Sequence, residues 1–195
     1  MNDILALPTG PLADASLALV HKSESTPIAD HSIRSFLFAR LLAEREGCLN
    51  DPAYDEDLLF AACVMHDLGL GTLAAGQARF EVEGADLAAS VLTEHGIGAA
   101  DVDRVWEAIA LHSSVGIAER RGLLTYLTHK GVFTDAGRFT DLGAEMLQPI
   151  YAAYPRPADD RSVRDAIVEH AARSQAAAPP YSIAAELLRQ RQTGQ

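Results

Sequence analysis

Eight consecutive apolar residues, Leu58-Leu59-Phe60-Ala61-Ala62-Cys63-Val64-Met65, run directly into His66 and Asp67 and then Leu68-Gly69. A run of this kind reads as a helix buried on all its faces. Two ionisable side chains at the end of such a helix are unfavourable unless something compensates them. For an imidazole beside a carboxylate, a metal ion is the commonest compensating partner.

The rest of the chain is patterned to surround that helix. Leu12 to Lys22 has helical spacing, and a polar stretch, Ser23 to Ala29, follows it around Pro27. Asp30 suits an N-cap for a helix whose apolar stripe runs through Ile33, Phe36, Leu37, Leu41 and Ala43, with His31 in its first turn and Gly47 past its end. Gly69 and Gly71 stop the central helix. Further helices are expected through Val91 and Leu92 up to His95-Gly96, over Ala100 to His112, and over Leu123 to His129, ahead of the glycine-flanked segment Gly131 to Gly137. Three weaker segments follow, near Asp141 to Tyr151, Ser162 to Ala176 and Ser182 to Gln192, separated by prolines. No stretch alternates with period two for long enough to make a strand. The expected fold is all-α, a single-domain helical bundle of about eight helices.

Composition narrows the function. At 195 residues one core suffices, and a formal net charge of −11 with no basic patch argues against nucleic acid as a partner. No stretch approaches the roughly 20 apolar residues needed to span a bilayer, and the opening residues lack a signal pattern, so no membrane is expected and a cytoplasmic location is. Two cysteines, Cys48 and Cys63, make no disulfide framework. The expected partner is a small-molecule substrate, and a homo-oligomer is compatible with the sequence.

The spaced series His31, His66-Asp67 and Asp135, with the stretch Thr26-Pro27-Ile28-Ala29-Asp30-His31-Ser32-Ile33-Arg34 and the turn Met65-His66-Asp67-Leu68-Gly69, resembles the HD metal-dependent hydrolase superfamily. The pieces Arg79-Phe80-Glu81-Val82-Glu83-Gly84-Ala85, Ile109-Ala110-Leu111-His112-Ser113-Ser114 and His129-Lys130-Gly131-Val132-Phe133-Thr134-Asp135 look like its cyanamide hydratase branch and that branch's bacterial relatives. The resemblance implies an HD metal-binding core over residues 26–140, a leader and short helix over 1–25 packing on it, and C-terminal helices over 141–195 completing the same domain. It implies that His31, His66, Asp67 and Asp135 bind one divalent ion, zinc first, with iron or manganese as alternatives that two imidazoles and two carboxylates suit as well. Superfamily members with two metals carry two further histidines; this chain offers His112 for one and none near Phe80 to Glu83 for the other, which favours a single ion.

The implied activity is a hydratase or hydrolase in which metal-bound hydroxide attacks a small electrophile of cyanamide or nitrile type. Asp67 would serve as ligand and proton acceptor, with His112 and then Glu83 as candidates for proton transfer. The alternatives are a metal-dependent phosphohydrolase on a nucleotide or small phosphate ester, which needs several basic residues in its pocket, and a non-catalytic metal-binding sensor module. Plainer readings compete residue by residue: a hydrogen-bonded structural pair for His66-Asp67, a solvent-facing helix start for His31, a turn residue for Asp135. His95 and His129 read as structural, and His21 and His170 as solvated.

Overall fold

In the computed structural model, which describes residues 4–139 and 142–194, the helical spacings become nine α-helices and no strand among the described residues. They are α1 (Pro11–Ser23), α2 (Thr26–Arg45), α3 (Glu56–Met65), α4 (Phe80–Glu94), α5 (Ala99–Leu111), α6 (Leu123–Asp135), α7 (Ala144–Ala153), α8 (Ser162–Ala171) and α9 (Ile183–Thr193). Asp141, where the seventh helix was expected to begin, lies outside the described residues. No helix among them is long and apolar enough to cross a membrane.

The Asp55 carboxylate accepts the Leu58 N–H at 3.0 Å and caps α3, satisfying one of the donors that a helix start leaves unpaired. Every side chain from Leu58 to Met65 is buried, and α3 packs against α1, α2, α5 and α6 together. Full burial of a large apolar side chain contributes roughly 1.5–3 kcal/mol. This all-round burial fixes where α3 ends, and so where His66 and Asp67 lie.

Two boundaries differ from the sequence expectation. Helix α2 begins at Thr26, ahead of Asp30, because Pro27 falls in its first turn, where the missing N–H costs nothing. Asp30 is therefore inside the helix and does not cap it. Helix α6 runs through Gly131 to Asp135 without a break. Gly131 is there for close approach: a Cβ would stand 2.2 Å from the Ser35 carbonyl oxygen and 2.8 Å from the Ala39 Cβ. Gly131→Ala should push α2 and α6 apart at a cost of about 1–3 kcal/mol, seen as a fall of several degrees in Tm. An unchanged Tm would mean that the two helices have slack between them.

Gly69 has the same role at the site. Its Cβ would lie 1.9 Å from the Phe80 carbonyl oxygen, so the turn after His66-Asp67 sits directly on the start of α4. The C-terminal helices α8 and α9 build a second apolar cluster, in which Ile167, Ala171 and Ala184 meet Ile28, Leu70 and Phe80. His170, expected in solvent, is buried in α8, and its Nε2–H donates to the Ala78 carbonyl at 2.9 Å.

Candidate metal centre

Three helices end at one place. His66 follows the last residue of α3, His112 follows the last residue of α5, and Asp135 is the last residue of α6. The first half of α2 brings His31 and Arg34 to them. Helix C-termini carry partial negative charge, so their convergence favours a cation before any side chain is counted.

The rings are fixed by their Nδ1 atoms. His66 donates Nδ1–H to the Cys63 carbonyl and His112 donates to the Ile109 carbonyl, each at 2.7 Å, so each ring caps the last turn of its own helix. His31 donates Nδ1–H to Asp135 Oδ2 at 2.6 Å. All three rings are thereby left with a bare Nε2, and all three Nε2 atoms face Asp67. His66 Nε2 is 3.2 Å and His31 Nε2 3.8 Å from Asp67 Oδ2, while His112 Nε2 is 3.9 Å from Asp67 Oδ1.

His66 Nε2 and Asp67 Oδ2 are buried and have no hydrogen-bond partner among the described residues. Two lone pairs facing each other at that distance in the protein interior call for a positive charge between them. The His31, His66 and Asp67 donors lie within 4.8 Å of one another, a spacing that one ion can close. The anchored Nδ1 atoms supply the outer hydrogen bonds that metal-ligating imidazoles ordinarily make. This donor set therefore fits a divalent ion.

Charge agrees with geometry. Burial alone would raise the Asp67 carboxyl, but positive charge on the imidazoles of His66, then His31 and His112, holds it well below the usual carboxylate range, as an ion among them would. The same opposition holds at Asp135, where burial is outweighed by His31 and Arg34. Burial pushes the other way on His66, but Asp67 beside it leaves the ring raised above the ordinary histidine value.

Asp135 is brought to the site but set behind His31. Its Oδ2 takes the His31 Nδ1–H and the Arg34 Nη2–H, the latter at 2.9 Å, and its Oδ1 takes the Arg34 Nε–H at 2.8 Å. It falls outside the close group of three donors among the described residues. Glu83, the second proton-transfer candidate, is turned away. Its carboxylate accepts the backbone N–H groups of Gly76, Gln77 and Ala78 at 2.5 to 2.9 Å and closes the loop ahead of α4.

Glu81 is a further buried acid beside the site. It is fully buried, accepts the Ser113 hydroxyl at 2.5 Å and Arg79 Nη2–H at 2.7 Å, and stands behind the residue that follows His112. Its signal was available, because Glu81, Ala85, Ala88 and Leu92 form one helical stripe of buried residues, and Glu83 is off that stripe. His129, fully buried, donates Nδ1–H to the His112 carbonyl at 2.7 Å and so holds the backbone of the catalytic candidate.

A helical bundle that brings a neighbouring His-Asp pair and a histidine from another helix together at converging helix ends is built to hold a metal ion, as proteins of the HD metal-dependent hydrolase superfamily are. The chain belongs to the HD domain family, whose model matches residues 28–136 and so spans His31, His66, Asp67, His112 and Asp135. A search of curated proteins finds no match.

Proposed function

We propose that the chain is a metal-dependent hydratase or hydrolase that adds water to the electrophilic carbon of a small molecule of the nitrile or cyanamide type, giving an amide or a urea. His112 carries the reading. Its Nδ1–H is committed to Ile109, so its Nε2 lone pair is left facing the cavity on the opposite oxygen of Asp67 from His31 and His66. Burial, and then His66, push its pKa down to about 4, and a cation in the same site would act in the same direction. The ring is neutral at pH 7 and able to accept a proton.

His31, His66 and Asp67 would hold the ion, with Asp135 fixing the tautomer and orientation of His31. When bound, a divalent ion lowers the pKa of water to near neutrality. Asp67 Oδ1 orients the attacking water toward His112. As the water oxygen bonds to carbon and one C–N π bond opens, His112 takes the water proton and delivers it to the nitrogen. Phe80, Val132 and Phe133 line the cavity beside these groups and keep other water away.

The phosphohydrolase reading has one observation in its favour, since Arg138, Arg156 and Arg164 line the same cavity. The deciding assay uses protein loaded separately with zinc, manganese and iron. Cyanamide should be converted to urea without ammonia release, and His112→Asn should lower kcat by about 10²–10⁴-fold with metal content unchanged. Phosphate release from a nucleotide panel, with no urea formed, would replace this reading by the phosphohydrolase.

A further inference from the structure

The cavity over the metal centre has a volume of about 410 Å³. Pockets of roughly 300–1,000 Å³ hold molecules of drug-like size, and a molecule as small as cyanamide would leave most of this one empty. The extra room has a wall of its own. It is made by α8 and α9, which lie beyond the residues the HD family model matches. Val163 and Ile167 on α8 and Ile183 and Leu187 on α9 stand at i, i+4 spacings and turn a continuous apolar face into the cavity.

The mouth is cationic. Of the charged residues lining the chamber, Asp135 is neutralised by Arg34. Arg156 donates to the Asp135 backbone carbonyl and is close enough to Asp160 to favour its charged form. Asp67 belongs to the metal donors. Two guanidinium groups remain. Among the described residues Arg164 donates only to the neutral Gln190 side chain, at 2.8 Å. Arg138 is exposed, lies over the Phe133 ring at 6.0 Å, and has no carboxylate partner among the described residues.

We infer that the substrate is amphipathic, with its electrophilic carbon at the metal centre, an apolar body against α8 and α9, and an anionic oxygen group such as a carboxylate held by Arg138 and Arg164. The inference rests on the hydratase reading for what happens at the reacting end. The chamber itself can be tested without turnover. Metal ions and the chamber's own carboxylates do not account for two guanidinium groups that line it without a carboxylate partner among the described residues, whereas an anionic ligand does, through charge-assisted bonds of the kind that guanidinium makes best.

The test is calorimetric titration of the full-length, zinc-loaded protein with two inert probes of equal shape, 4-phenylbutyrate and its uncharged amide. The carboxylate should bind at least about tenfold more tightly. The double variant Arg138→Gln/Arg164→Gln, which alters one exposed and one half-exposed side chain and should fold normally, should bring the two affinities together. Leu187→Glu should weaken both probes. Equal affinities in the wild type would overturn the anionic end of the proposal. A preference that survives in the double variant would place the anion on the metal and overturn the arginine rim. Failure of both probes to bind would overturn the chamber. Urea formation from cyanamide is followed in parallel: if it is absent while the probe preferences hold, the hydration chemistry falls and the chamber stands.

Discussion

Asp67→Ala should give a folded protein that retains no metal and turns over no substrate. In the wild type the Asp67 carboxylate is buried between three imidazoles, with Oδ2 toward His31 and His66 and Oδ1 toward His112. It is the only negative charge in the close donor group, so its removal takes away both a ligand atom and the charge that offsets the ion. The readout that needs no substrate is thermal. An ion at a hundredfold excess over its Kd stabilises the native state by about 2.7 kcal/mol, so zinc should raise the Tm of the wild type and leave that of Asp67→Ala unmoved. Asp135→Asn should behave differently, because Asp135 holds His31 and is outside the group of donors. Loss of such a supporting carboxylate weakens metal affinity by roughly 10–100-fold without abolishing it. Equal, complete loss of metal in both variants would make Asp135 a ligand in its own right.

Much of this site could be read from the sequence because it depends on local pattern. The apolar run before His66 dictates a buried helix, and a buried helix that ends in His-Asp needs a counter-charge wherever the rest of the chain goes. The all-helical fold follows from the same spacings. What the sequence hid depends on contacts between distant segments. Gly131 looks like a terminator in isolation, and only the approach of Ser35 from α2 shows why it is glycine inside a continuous helix. Glu81 and Glu83 are equivalent in composition. The helical stripe separates them, but the Ser113 and Arg79 partners that hold Glu81 become visible only in three dimensions. His170 looked solvated because its own helix is weakly patterned, and its partner, the Ala78 carbonyl, is far away in sequence.

Arg34→Met should destabilise the protein by about 3–5 kcal/mol, the cost of leaving one member of a buried ion pair without its partner. Arg34 is almost completely buried, binds both oxygens of Asp135 through Nε and Nη2, and spends Nη1 on the carbonyls of Tyr154 and Pro155 at 3.3 Å. It therefore ties the end of α6 and the segment after α7 to α2. The methionine side chain fills much of the same space, so the loss is one of charge more than of volume. The pH dependence identifies the partner. Asp135 has its pKa lowered in the folded state, so its contribution to stability is present above the unfolded carboxylate value and is lost as pH falls through the lower, folded value. The Tm gap between wild type and variant, measured with chelator present, should be widest above about pH 5 and should narrow progressively as pH falls below about 4, where the unfolded chain takes up the proton that the paired, folded Asp135 still refuses. A gap that stays constant down to acid pH would mean that Arg34 acts through its backbone carbonyl partners and that its pairing with Asp135 contributes little.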